Sequence, residues 1–133
     1  MKIVLYAVLS ATISLPTVSV AQMVSSGQTD EICPGRPNEP QIIQNMPVQE
    51  AYRTLLLQAM YSAYRYELVV QTGTCSCDNR FPSWEPVVEY YLENYARLED
   101  EWAVMDAQRP YDAAKRLHRE PHRTICVQQG NWR

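Results

Sequence analysis

The sequence predicts an all-α fold: an antiparallel helical hairpin with a short third helix, stapled by disulfides and flanked by irregular N- and C-terminal arms. Three observations predict it. Apolar residues recur at helical spacing over two long segments. Proline and glycine punctuate the chain where those segments would end. Four cysteines, Cys33, Cys75, Cys77 and Cys126, all follow an export-like leader.

The leader comes first. Lys2 supplies a short positive start, Ile3 to Leu15 is uncharged and mostly apolar, and Pro16 breaks the run. Ser19-Val20-Ala21 then offers small residues at the two positions a signal peptidase reads. These are the parts of a secretory signal, and the apolar run is short for a bilayer span. Residues 1–21 are therefore expected to be cleaved, leaving a mature chain that starts at Gln22, with no stable membrane span after cleavage. The destination is the periplasm if the source is bacterial and the exterior otherwise.

The mature chain is long enough for one core and no more. The whole sequence carries a net charge of −3. An acidic chain lacks the basic footprint of general nucleic-acid binding, so no nucleic-acid partner is expected. Charge is nevertheless segregated. Residues 84–106 are strongly acidic, with Arg97 as their lone cation, whereas residues 110–133 are basic, with Lys115, Arg116, Arg119, Arg123 and Arg133. The plainer expectation is that the basic tail folds back along the acidic segment; the alternative is an external ligand for either patch.

An even number of cysteines in a small exported chain reads as a disulfide framework. A Cys75–Cys77 bond would close a strained ring. Two pairings remain, Cys33–Cys75 with Cys77–Cys126 or Cys33–Cys77 with Cys75–Cys126. Both staple the two ends of the chain to one central loop. Redox chemistry and metal binding by these cysteines with His118 or His122 are weaker readings, because the spacing fits no standard site. No cofactor and no metal are assigned.

Residues 22–46 are polar and proline-bearing, and read as an extended arm preceding a helical domain over 47–133. The first helix spans 47–71, with Pro47 at its start and Gly73 as terminator. Its inward stripes are Val48, Tyr52, Leu55, Ala59, Ser62, Tyr66 and Val69, widened by Leu56, Met60 and Ala63. Ser83 then caps a second helix whose seam is Val88, Tyr91, Tyr95, Leu98, Trp102 and Met105, ending before Pro110. Tyr111 to His118 forms the short third helix, which Pro121 ends, and an irregular tail follows. The arm from Cys33 to Pro47 is long enough to run back along the first helix to the cysteine loop.

No nucleophile elbow, phosphate loop or zinc-protease motif is present. No catalytic residue is assigned. Glu85, Glu89 and Glu93 sit at four-residue steps, a pattern open to acid–base work on a cell-wall glycan, yet they lie in a run of solvated acids. Tyrosine and tryptophan are abundant against one phenylalanine, a bias shared with protein interfaces. The candidate binding residues are Tyr61, Tyr64, Tyr90, Trp132, Arg116 and Arg119. The expected function is an exported, non-enzymatic interaction protein that docks on another envelope or secreted protein, in the manner of accessory subunits of secretion or conjugation machines. A small glycan hydrolase and a metal or redox protein are the alternatives. Oligomeric state is not legible from the chain.

Overall fold

A computed structural model describes residues 33–132, which are helical throughout their ordered elements and contain no strand. The leader and residues 22–32 lie outside the described residues. The elements are α1 (Gln41–Gln44), a 3-10 turn (Val48–Glu50), α2 (Ala51–Thr72), α3 (Cys77–Arg80), α4 (Glu85–Asn94) and α5 (Glu101–Gln128).

Helix α2 is the axis of the molecule. It ends where the sequence says it should. Gly73 takes the left-handed conformation at φ 65°, and its N–H closes the last turn on the Val69 carbonyl at 2.9 Å. A side chain at Gly73 would meet no atom within 4 Å, so the constraint there is conformational rather than steric. Around α2 the core gathers Leu56, Leu57, Met60 and Tyr61 with Trp84, Val87 and Tyr91 of the α4 region and Val104 of α5.

This differs from the expected stripe. Leu57 and Tyr61 are fully buried, while Val48 and Leu55 are exposed. The reason is that α2 is covered on several sides, so its burial follows its neighbours and not one amphipathic face. Tyr61 in particular is no surface residue. Its ring stacks on Trp84 with centroids 3.9 Å apart, and its hydroxyl donates to the Pro82 carbonyl at 2.8 Å.

The arm runs as its length allows. Ile43 of α1 is buried in the core, Glu39 accepts from Gln58 at 2.7 Å, and Arg36 lies over the Tyr61 and Trp84 rings at 4.8 and 5.0 Å. Cys33 then bonds Cys77. These contacts climb α2 in order. The one departure is α1, a single helical turn after Pro40 in a segment expected to be wholly extended.

The larger correction concerns the second half of the chain. The second helix ends at Asn94, and the reversal falls at 95–100 instead of at Pro110. Asp100 starts α5 by accepting the Ala103 N–H at 2.8 Å. Helix α5 then continues through both Pro110 and Pro121 to Gln128. An interior proline removes a backbone bond and costs about 3 kcal/mol in isolation. Here both rings are exposed, so the carbonyls that lose a donor, on Asp106 and Leu117, lie on the solvated side. The opposite side packs Val104, Ala107 and Tyr111 against the core and brings Ile125 and Cys126 against Val69. The break at 95–100 also resets the expected seam. Tyr91 is buried and Val88, Tyr95 and Leu98 are partly so, but Trp102 and Met105 face solvent. The short helix is thus the middle one, the last helix is long, and the irregular tail begins only at Gln129.

Direction follows from contacts at each end. Arg53, in the first turns of α2, donates to the Leu98 carbonyl just before α5. Cys75, just past the end of α2, bonds Cys126 in the last turn of α5. Helices α2 and α5 therefore run parallel. Helix α4 runs antiparallel to α2, from the Tyr61–Trp84 stack down to Tyr91, which lies beside Arg53.

The cysteine end is a knot of three segments. Gln129 donates to the Gly73 carbonyl at 2.9 Å and accepts the Cys75 N–H at 2.7 Å. Asn131 donates to the Cys75 carbonyl at 2.6 Å, and Arg80 donates to the Asn131 carbonyl. All four cysteines are consumed, which is the chemistry of an oxidising compartment and leaves no thiolate for a metal. Among the described residues no helix is long and apolar enough to cross a membrane.

The two bonds do different work. Each closes a loop worth about 4 kcal/mol in the chain-entropy account. Replacing Cys75 and Cys126 by alanine is expected to lower stability by about that amount and to raise hydrogen exchange across the last two turns of α5. Replacing Cys33 and Cys77 should loosen the arm while α5 stays protected. Equal exchange in α5 for both variants would contradict this division.

Candidate functional site

Arg116, Arg119 and Arg123 stand three and four residues apart, a spacing that puts them on one side of a helix. Because α5 is continuous through Pro121, this side faces the tail that the knot holds. The result is a cleft of about 500 Å³ lined by Tyr66, Arg116, Arg119, Glu120, His122, Arg123 and Trp132.

Its far wall is a stack of rings and guanidinium groups. Arg65 lies over Tyr66 at 4.8 Å and over Phe81 at 5.5 Å, and Arg80 lies over Phe81 at 4.9 Å and over Trp132 at 5.2 Å. Each such contact contributes about 0.5–1 kcal/mol where solvent reaches it. Burial, with Arg65 nearby, holds the Arg80 pKa below the usual arginine value. Trp132 remains 41% exposed at the mouth, fixed by its neighbour Asn131.

His122 forms the floor and is 1% exposed. Its ring packs on Tyr66 at 4.6 Å and edge-on to Trp132 at 5.7 Å. Nε2 lies 3.8 Å from the Cys126 sulfur, and Nδ1 meets no hydrogen-bond partner among the described residues. Burial, then the positive charges of Arg65 and Arg80, push its pKa down to about 4. It is therefore a neutral imidazole at neutral pH. Pro121 does not end the helix as the sequence predicts, so residue 122 lands on the buried side.

A second cleft, of about 490 Å³, opens on the other side of the α2–α5 seam. It is mainly apolar, between Met60, Ala63 and Tyr64 of α2, Pro86, Val87 and Tyr90 of α4, and Pro110, Tyr111 and Ala114 of α5. The Tyr95 and Tyr111 hydroxyls share a hydrogen bond at 2.9 Å, and burial together with that bond raises the Tyr111 pKa.

The candidate residues thus separate. Arg116, Arg119 and Trp132 line the basic cleft, Tyr64 and Tyr90 line the apolar one, and Tyr61 belongs to the core. Tyr66, read as an inward helix residue, and His122, read as a possible metal ligand, meet here with Arg65 and Arg80, which the sequence did not single out; their meeting depends on the parallel helix pair. Glu85, Glu89 and Glu93 all face water, an environment without the shielded acid that glycan hydrolysis needs. Among the described residues no group of His, Cys, Asp or Glu side chains is placed to hold a metal ion.

The expected folding of basic tail on acidic segment does not occur. Among the described residues the ion pairs Glu50–Arg53, Asp106–Arg109, Asp112–Lys115 and Glu120–Arg123 each span three residues within one stretch of chain, and none of these joins 84–106 to 110–132. The helices leave the turn at 95–100 in different directions, so the acids of α4 and the arginines of α5 lie on separate surfaces.

Comparison of the chain with protein-family models, with curated proteins and with solved structures gives no match.

His122 makes stability depend on pH. Its folded pKa lies below the ordinary 6.5, so the unfolded chain takes up the proton first as pH falls. The contribution is complete above about pH 6.5 and is lost as pH falls towards about 4, amounting to about 3 kcal/mol. Denaturant midpoints should fall across that window, and His122→Leu should flatten the dependence. An unchanged slope in that variant would contradict the assignment.

Proposed function

We propose that this chain is an exported, non-enzymatic interaction protein that docks on another envelope or secreted protein. The observation that carries the reading is the outer face of α5. Trp102, Leu117 and Val127 lie on that face and are 72%, 69% and 53% exposed. Large apolar side chains on a rigid, solvent-facing helix are what a partner covers, with tryptophan the residue most often found at the centre of such contacts. The two disulfides support an oxidising destination, and the leader-like segment at residues 1–21 supports export.

The staple gives this face its use. A helix held at both ends presents its side chains with little further loss of freedom on binding. The role is that of an adaptor or accessory subunit, in which surface shape does the work.

The test places a photoreactive amino acid at Trp102 or at Leu117 in the native host. A discrete adduct of reproducible mass is expected from both positions, and Trp102→Glu should abolish the adduct formed through Leu117. Recovery of the chain only as an unattached monomer would overturn the reading.

A further inference from the structure

We propose that the basic cleft beside the C-terminal tail receives a short acidic segment of a partner protein, with carboxylates held by Arg116 and Arg119 and an adjacent apolar side chain against Trp132. This rests on the interaction reading above and names the chemistry of one contact.

Four observations point there. First, the cleft concentrates positive charge. Arg116, Arg119 and Arg123 line it, and Arg65 and Arg80 stand behind its aromatic wall. Like charges at these helical spacings oppose one another, so the arrangement is a small cost to the free chain.

Second, the charge on Arg116 and Arg119 is only partly offset from within, by Asp112 one turn from Arg116. Glu120 is the one acid lining the cleft, and it pairs with Arg123 at 3.6 Å. Arg116 and Arg119 form no ion pair and no side-chain hydrogen bond among the described residues. Their guanidinium groups are exposed, planar and suited to two-point binding of a carboxylate.

Third, the floor carries unspent polarity. His122 is almost wholly buried and lines the cleft, yet its Nδ1 has no partner among the described residues. A buried polar nitrogen without a partner is costly, and a ligand group is one way to satisfy it.

Fourth, the shape selects the source of the anion. A volume of about 500 Å³ takes a few side chains. The rings of Tyr66 and Trp132 offer apolar contact beside the charge, which a bare phosphate or sulfate would not use. An anionic bilayer is a poorer match, because the whole chain is acidic at −3. A protruding peptide with alternating acidic and apolar side chains meets both features.

The experiment measures anisotropy of a short fluorescent peptide that alternates glutamate and leucine, added to the oxidised mature chain. Controls are the same peptide with glutamine for glutamate, and vesicles of phosphatidylglycerol. The acidic peptide should bind, weaken with added salt, and lose at least about tenfold in affinity with Arg116→Glu/Arg119→Glu. The Arg116→Lys/Arg119→Lys variant, which keeps charge but loses the planar fork, should lose less, and Trp132→Ala should weaken binding without changing the salt slope. Equal binding of the glutamine peptide, indifference to charge reversal, or stronger binding to vesicles would each overturn the proposal. Concentration-dependent self-association dissolved by salt would overturn it too, by assigning the occupant to the acidic α4 of a second copy. Photo-adducts through Trp102 separate the two readings: if they persist in the charge-reversed variant while the peptide fails to bind, the cleft assignment falls and the interaction reading stands.

Discussion

The Cys75–Cys126 bond is the constraint from which the rest of the structure follows. It ties the residue just past the end of α2 to the last turn of α5. That makes the two long helices parallel, a relation that adjacent helices joined by a short loop cannot have. The intervening α4 serves as the return path, and its ten residues carry the chain back towards the start of α2. The second bond, Cys33–Cys77, draws the arm to the same end, so three segments meet within a few residues of Gly73. In a domain this small the hydrophobic core is modest, and covalent cross-links supply the margin that a larger core would otherwise provide.

The same constraint explains how α5 carries two interior prolines. Each would kink or end an isolated helix. A helix packed along α2 and tethered at its last turn has little freedom to depart from its path. The lost backbone bonds fall on the solvated side, where water replaces the missing donor. Continuity through Pro121 in turn decides where His122 and the arginines point. One proline-tolerant turn therefore separates an exposed histidine from a buried neutral one, and a frayed tail from a walled cleft.

The sequence made the framework legible because its signals were local or combinatorial. Gly73 stops a helix by its own conformational freedom, and four cysteines with a forbidden neighbour bond left two pairings. The reach of the arm was a matter of length. What stayed hidden depended on tertiary context. Proline read as a terminator is right for an unsupported helix and wrong for one held at both ends. Asp100 was a readable helix start, but the heptad-like run from Val88 to Met105 passed straight over it. Tyr61 was placed outside because a single helix has one inward face, whereas α2 is covered by α4 and by Arg36 of the arm as well. The charge blocks were correctly seen, but their expected pairing failed, because the turn at 95–100 sends α4 and α5 apart.

The parallel arrangement of α2 and α5 stands on the pairing of the cysteines, and fragmentation of the unreduced protein tests it most directly. Digestion after arginine leaves Cys75 and Cys77 on one peptide, linked to the separate peptides of Cys33 and Cys126, and collisional cleavage of its backbone between Cys75 and Cys77 then separates the two bonds in a mass spectrum. The pairs Cys33–Cys77 and Cys75–Cys126 are predicted. Recovery of Cys33 with Cys75 and of Cys77 with Cys126 would contradict the account, because the end of α5 would then be tethered to α3 instead of to the end of α2.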